Sequence, residues 1–302
     1  VLIVMADQLG RSVGDMYQGA LLPGLILTGM YLGYVGLVAI FRPALAPAMP
    51  LEARTLREDS GASGLRSLAW LFAIAVAGAW LFANRVYSAD APRDELVVVS
   101  SMVGIGIAFV IAILNRILGL GLLSRMAVRI TFVLIPPLGL IFLVLGTIFI
   151  GVATPTEGGA MGASGALLMA LLRARLSLPL LKQAMDSTTK LSCFVIFILI
   201  GSSVFSLTFR GVDGDLWVEH LMTSLPGGQT GFLIAVNILV FILAFFLDYF
   251  ELAFIIVPLL APVADKLGID LIWFGVLLAV NMQTSFLHPP FGFALFFLRS
   301  VA

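Results

Sequence analysis

Charge is what this 302-residue chain has least of: Asp, Glu, Lys and Arg make up 11% of it, and 17 basic against 17 acidic side chains cancel. Hydrophobic residues reach 61% and the mean hydropathy is +1.11. Soluble domains carry about 25% charged residues and fewer apolar ones, so the solvent of this chain is lipid. No Lys/Arg-rich run stands clear of the apolar segments, which excludes an electrostatic footprint for nucleic acid. The single cysteine, Cys193, excludes a disulfide framework. Within Leu191-Ser-Cys-Phe-Val-Ile-Phe it reads as a buried small hydrophobe rather than a reactive thiol. His288 has no second His or Cys at ligand spacing, so no metal centre is expected. A GxxxxGK[ST] phosphate loop is also missing, and with it an ATP site.

What is present is apolar length. It allows roughly seven to nine passes of about 20 residues in one all-α, polytopic membrane domain over residues 1–302. Val1 to Leu9 is too short to span and reads as the tail of a helix or a short surface helix. Spans follow at about Ala20 to Phe41, Ser67 to Asn84, Leu96 to Leu114, Ile130 to Ile150, Ala160 to Leu172 and Leu191 to Phe209, with a long apolar region from Thr230 onward. The chain starts without an initiator Met or basic flank and stops at Phe296-Phe-Leu-Arg-Ser-Val-Ala302 while still apolar, so an internal piece of a longer protein is expected.

Basic residues set the orientation, because short Lys/Arg-rich loops stay cytoplasmic. Arg42, Arg54, Arg57 and Arg66 mark one side. Asp90, Asp94 and Glu95 outnumber Arg85 and Arg93 on the other, and Arg116, Arg125 and Arg129 return to the first, which is therefore cytoplasmic. The Gly151 to Gly159 turn then falls outside, and Arg173, Arg175, Lys182 and Lys190 fall inside.

Polarity enters the apolar regions at three places. The first is Gly151-Val-Ala-Thr-Pro-Thr-Glu-Gly-Gly159. Thr154 and Glu157 fit either an N-cap with a first-turn acid or, together with Thr156, a cation or solute contact. Gly158, Gly159, Gly162 and Gly165 would admit a close neighbouring helix. The second is Phe246-Leu-Asp-Tyr-Phe-Glu-Leu252, inside a region whose length suggests a helix and then a re-entrant arm kinked or ended by Pro258 and Pro262. Ionisable groups at membrane depth usually mark ion paths, which singles out Asp248; Glu251 can simply reach the interface. The third is Asn281-Met-Gln-Thr-Ser-Phe-Leu-His-Pro-Pro-Phe-Gly292. Asn281, Thr284, Ser285 and His288 stand at i, i+3, i+4 and i+7, one face of a helix. Pro289 and Pro290 remove the donors of the Ser285 and Phe286 carbonyls, and free carbonyls beside hydroxyls suit Na⁺. The alternative is a kink whose polar face only grips a neighbouring helix. Pro136-Pro137 also breaks a helix, but into a wholly apolar segment, and reads as a kink.

Gly151-Val-Ala-Thr-Pro-Thr-Glu157, Asp248 followed by Ile255-Ile-Val-Pro258, Gly268-Ile-Asp270 and Thr284-Ser-Phe-Leu-His-Pro-Pro-Phe-Gly292, in that order, resemble the large membrane subunit of tripartite ATP-independent periplasmic (TRAP) transporters. The mannitol/chloroaromatic-type branch, with additional helices at about residues 67–122, looks closest. The resemblance implies an inner-membrane permease, not an enzyme, importing small organic acids on a Na⁺ gradient after delivery by a periplasmic binding protein. A small membrane subunit is the other implied partner, and Na⁺ the coupling ion in place of any cofactor. It also implies an elevator fold of two inverted repeats. The layout is then a cytoplasmic loop at 42–66, scaffold helices at 130–229, and a transport segment at 230–302 with a hairpin near Ala244 to Lys266 and a broken helix near Ile272 to Arg299. The first repeat's hairpin would precede Val1. His288 departs from the Thr common before Pro-Pro in that family.

The expected cation site is Asp248, Thr284, Ser285 and the carbonyls up to Phe286; Thr154, Thr156, Glu157, Asn281, His288, Pro289 and Pro290 are the expected solute or gating residues. Two other readings stay open. One is an intramembrane enzyme using Glu157, Asp248 and His288 as acid and base, which needs them in one wet cavity. The other is a structural membrane subunit whose polar face only holds a partner helix.

Overall fold

The computed structural model describes residues 1–47, 64–86, 93–149, 151–288, 292, 294–295 and 298–299. Among these the chain is helical, with no strand. In order come α1 (Leu2–Gln8), α2 (Val13–Phe41), α3 (Leu65–Arg85), α4 (Arg93–Ile117), α5 (Arg125–Phe149), α6 (Pro155–Leu172), α7 (Leu178–Gly211), α8 (Gly214–Thr223), α9 (Gly228–Leu243), α10 (Tyr249–Glu251), a π-turn (Leu252–Ile256), α11 (Val257–Lys266), α12 (Leu271–Met282) and a 3-10 turn (Gln283–Phe286). Most of the 42–66 loop lies outside the described residues.

Helices α2, α3, α4, α5 and α7 are long and apolar enough to cross a membrane, and α8 with α9, bent by 119°, makes a sixth candidate. That is fewer among the described residues than the seven to nine passes expected. The apolar length is partly spent on α11 and α12, whose 10 and 12 residues are too short to cross alone.

The chain forms two compact units: residues 25–176, and residues 1–24 with 177–302. In the first, α3 to α6 pack each on the next. Ser124 ties the starts of α3 and α5 together, its N–H donating to Ser67 Oγ at 2.9 Å and its hydroxyl to the Gly64 carbonyl at 3.1 Å. Asn115, near the end of α4, accepts from the N–H groups of Leu122 and Leu123 at 2.9 and 3.2 Å. The chain ends carrying Arg66, Arg116, Arg125 and Arg129 therefore share one end of this unit, as the charge alternation predicts. Of the glycines expected to admit a helix, Gly158 and Gly165 do so: a methyl group on them would lie 2.9 Å from Ile148 and 2.4 Å from Leu140 of α5. Gly159 faces open space.

At Pro136-Pro137, read as a kink, α5 is not interrupted and runs through both prolines. Pro136 has no N–H for the Phe132 carbonyl, and the Arg173 guanidinium, at the end of α6, donates to that carbonyl at 2.7 Å. A donor from another helix thus stands where the backbone donor is lost.

The second unit builds its core from α1, α9, α11 and α12. Phe232, Val236 and Val240 lie one turn apart on α9 and meet Phe274, Leu278 and Met282 of α12; the Phe232 and Phe274 rings stack at 5.9 Å. Successive contacts pair 232 with 274 and 237 with 281, so α9 and α12 run side by side in the same direction. Helix α1 is not a surface helix: Met5 and Ala6 are fully buried in this core, and the Tyr249 hydroxyl donates to the Val1 carbonyl at 2.5 Å.

Two expectations for α7 need correction. The basic stretch before Leu191 is not a loop; Ser177 caps the helix by accepting from the Leu180 N–H at 3.3 Å, Pro179 fits its first turn, and no breaker follows. At 34 residues it is about 51 Å long, well beyond the roughly 30 Å of hydrocarbon, so Lys182 and Lys190 ride on helix rather than on loop. Cys193 is exposed, not buried, because α7 turns almost all of its surface away from the protein.

The other departure is at Pro258 and Pro262, neither of which ends a helix: α10, the π-turn and α11 form one run from Tyr249 to Lys266 after a turn at 244–248. Pro258 withholds its N–H from the Phe254 carbonyl four residues back. The backbone opens there into the π-turn, and the Ser202 hydroxyl, from the one buried residue of α7, donates to Phe254 O at 2.5 Å.

Candidate functional site

The three polar segments fall into both units. Thr154, Thr156 and Glu157 belong to residues 25–176; Asp248, Asn281, Thr284 and His288 belong to the other unit.

At the first segment the capping alternative holds. Thr154 Oγ1 accepts from the Glu157 N–H at 3.4 Å, and Glu157 Oε2 accepts from the Thr154 N–H at 2.8 Å and its hydroxyl at 2.9 Å. This capping box opens α6 with Pro155 in its first turn. The Thr154 N–H, and after it the Thr154 hydroxyl, hold the Glu157 carboxyl below its ordinary range. Thr156 is exposed.

Asp248 is half-buried at the start of α10 and also caps: Oδ1 accepts from the Tyr249 N–H at 2.6 Å, while its own N–H donates to Glu251 Oε2 at 3.1 Å. Glu251 is therefore the other half of a capping box and does not simply reach for the interface. Both acids are spent on beginning a helix inside an apolar region, where open backbone N–H groups are costly. The Asp248 side chain also accepts from the Glu251 N–H, which completes the capping box.

The third segment leaves α geometry early. Helix α12 ends at Met282 and tightens into the 3-10 turn, where the Leu287 N–H bonds to the Thr284 carbonyl at 2.9 Å. The expected break at Pro289 thus begins six residues before it. Asn281 donates to the Asn237 carbonyl at 2.8 Å and to its Oδ1 at 3.0 Å. Thr284 Oγ1 donates back to the Asn281 carbonyl at 2.7 Å. The His288 ring stacks on Phe245 with centroids 3.8 Å apart and meets Phe241 edge-on at 5.9 Å. Neither ring nitrogen of His288 has a hydrogen-bond partner among the described residues, though both are shielded from solvent. Pro289 and Pro290, and the Ser285 side chain, lie outside the described residues.

The expected single polar face is thus partly realised. Asn281 meets α9 at Asn237, and His288 meets it at Phe241, one turn further on, and then Phe245 in the turn that follows the helix. Asp248 lies three residues beyond Phe245, so its Cα is within about 11 Å of the residue that carries the His288 ring. Asn281 and His288 thus both contact the run 237–245, which Asp248 follows in sequence, while the Thr284 hydroxyl turns back to the Asn281 carbonyl. The arrangement offers oxygen donors and one imidazole, a set that suits a hard cation and an anionic solute rather than a soft metal.

Sequence reasoning missed Asn237, Ser202 and Arg173 as partners. Asn237 stands out only as an amide inside the apolar run Ile234 to Leu243. Ser202 and Arg173 had an indirect signal: each proline inside a helix implies an open carbonyl four residues earlier, which needs a donor from somewhere.

The chain is 33% identical over 160 residues to the C4-dicarboxylate TRAP transporter large permease of Rhodobacter capsulatus, covering 52% of this chain and 36% of that protein. It is 28% identical over 160 residues to the sialic acid TRAP transporter permease of Haemophilus influenzae, covering 53% and 26%. With the isethionate TRAP transporter permease of Oleidesulfovibrio alaskensis it shares 27% over 161 residues, covering 53% and 25%. The matched part spans between a quarter and two fifths of these relatives. No solved structure matches the chain. The family model for the tripartite ATP-independent periplasmic transporter, DctM component, matches residues 1–302, and the chain belongs to that family.

Proposed function

We propose that this chain is part of a permease that carries small organic acids across the bacterial inner membrane, driven by a Na⁺ gradient and not by ATP. The observation that carries the reading is the end of α12. An apolar helix breaks into a 3-10 turn there, with Asn281 and His288 against the run 237–245 that precedes Asp248 and the Thr284 hydroxyl on the Asn281 carbonyl. Discontinuous helices with such groups are how secondary transporters build ion and solute sites.

In this reading Asp248, Thr284, Ser285 and the carbonyls near Phe286 hold the cation. His288 and Asn281, with Pro289 and Pro290 shaping the break, face the solute. Relatives named for C4-dicarboxylates, sialic acid and isethionate all act on small anions, and an imidazole with open nitrogens is a donor for a carboxylate or sulfonate. A periplasmic binding protein delivers the solute and a small membrane subunit completes the membrane part. Helices α3 and α4 fit the additional helices of the mannitol/chloroaromatic-type branch.

The Asn281–Asn237 contact favours the second reading, a polar grip between helices and nothing more. Uptake separates the two. The full-length permease, with its small subunit and binding protein in liposomes, is assayed for organic-acid uptake with and without an inward Na⁺ gradient, comparing wild type, Asp248→Asn and Thr284→Ala. Na⁺-dependent uptake whose Na⁺ requirement rises in the variants is the expected result. Uptake indifferent to Na⁺, or variants matching wild type, would overturn the site.

A further inference from the structure

At the shared end of the 25–176 unit, where α4 stops and α5 starts, a crevice of about 400 Å³ is lined by Arg116, Arg125, Arg129, Val128, Phe132 and Val133, among others. Its described lining includes three arginines and no acidic side chain. Arg125, Val128, Arg129 and Phe132 share one face of α5, at i, i+3, i+4 and i+7. Arg116 reaches across from α4, its guanidinium 5.3 Å from the centre of the Phe132 ring, which fixes the direction of that cation.

This placement works against the helix itself. Arg129 stands in the second turn of α5, where the helix dipole already presents positive charge, and Arg116 is a like charge on the facing wall of the crevice. Each effect is small, but both are relieved by the same thing: an anion held between Arg116 and Arg129 near the helix N-terminus. The crevice floor is apolar, with Phe132 half-buried and Val133 50% exposed. Helices α4 and α5 are both long and apolar enough to cross a membrane. A diffusible anion gains nothing from that floor, whereas the anion most abundant at the end of a membrane helix carries its own apolar tail.

We propose that this crevice is a binding site for an anionic phospholipid, with the headgroup phosphate between Arg116 and Arg129 and an acyl chain along Phe132 and Val133. The site is separate from the polar strip of α12 and does not depend on its role.

The test uses full-length permease stripped of lipid in a neutral detergent and titrated with phosphatidylglycerol or phosphatidylcholine, reading bound lipid by native mass spectrometry and Tm by intrinsic fluorescence. Phosphatidylglycerol should bind saturably and raise Tm, and phosphatidylcholine should do neither. Removing two cations, in Arg116→Gln/Arg129→Gln, should weaken phosphatidylglycerol binding on the order of 30-fold. The Lys/Lys counterpart should retain most of it. Should the Gln pair lower Tm in detergent alone, Arg129→Gln by itself carries the comparison, with about fivefold weakening expected. Equal binding of both lipids, unchanged phosphatidylglycerol affinity in the Gln variants, or a full Tm shift from inorganic phosphate alone would each overturn the proposal.

Discussion

Removal of one hydroxyl tests how this fold tolerates proline inside its helices. Ser202 is 6% exposed, and its hydroxyl supplies the Phe254 carbonyl that Pro258 leaves without a backbone donor. Ser202→Ala deletes that donor without changing the helical propensity of α7 for the worse. An acceptor buried without a partner costs about 1–3 kcal/mol in soluble proteins. Polar contacts between membrane helices are weaker, averaging about 0.6 kcal/mol with a maximum near 1.7. A buried bond to an otherwise open carbonyl belongs at the upper end, so Ser202→Ala should cost about 1.5 kcal/mol. The decisive comparison is a double-mutant cycle with Pro258→Ala, which returns an N–H to position 258. In that background the Phe254 carbonyl has a backbone donor again, and Ser202→Ala should cost no more than about 0.5 kcal/mol, giving a coupling of about 1 kcal/mol. The measurement is reversible unfolding of the full-length protein in mixed micelles. Equal cost of Ser202→Ala in both backgrounds would refute the donor-replacement argument, since the hydroxyl would then be stabilising something other than the carbonyl left open by Pro258.

Arg173→Gln, which shortens the reach to the Phe132 carbonyl, should destabilise the protein by about 1 kcal/mol, and Pro136→Ala should suppress that loss in the same unfolding assay. Asp248→Ala should remove both the cap of α10 and the charge, whereas Asp248→Asn keeps a capping oxygen; if the charge acts in transport, both lose uptake but only the Ala variant also loses about 1 kcal/mol of stability. The Glu157 carboxyl is held below its ordinary value, so its contribution to the start of α6 is complete above the usual carboxylate range and is lost as pH falls through the lowered folded-state value. Amide exchange at Glu157 and Gly158 should therefore accelerate on the acid side relative to the start of α12, and Glu157→Gln should abolish that pH dependence; an unchanged acid limb in the variant would exclude the capping carboxylate as its source. Asn237→Ala and Asn281→Ala should each destabilise, with a coupling of about 0.6 kcal/mol in the double variant.

The spans were legible because a crossing helix must be apolar for about 20 residues, whatever its neighbours. A helix start was legible where capping chemistry is local, as at Thr154, whereas the cap at Asp248 was not read because an acid in an apolar region points first to an ion path. What local pattern did not carry is which side of an apolar helix meets protein and which meets lipid, since both environments accept the same residues. Cys193 is the plain instance: its neighbours read as core, and it lies on the exposed surface of α7. The polar strip of Asn281 and His288 was visible from spacing, but its receiving face on α9 and the turn after it was not, because Phe241 and Phe245 look like any other apolar residues. That the helices run on through Pro136 and Pro258 was not decided by the sequence, for a related reason. Proline announces a lost hydrogen bond, and only tertiary structure shows whether a donor elsewhere replaces it.

That last point separates structural prolines from functional ones. At Pro136 the lost donor is replaced by Arg173, and at Pro258 by Ser202, so both carbonyls have partners and both helices run on. If Pro289 belongs to an ion site, the accounting there must come out differently: in α register it withdraws the donor of the Ser285 carbonyl, and the replacement must be the cation rather than a side chain. Pro289→Ala then acts as a competitor, because it hands that carbonyl a permanent N–H. Transport by the full-length permease should need a higher Na⁺ concentration for half-maximal uptake, while Pro136→Ala, whose carbonyl already has Arg173, should leave the Na⁺ requirement unchanged. An unshifted Na⁺ requirement in Pro289→Ala, with the protein folded and still able to transport, would place this proline with the other two as a feature of packing and remove the Ser285 carbonyl from the cation site.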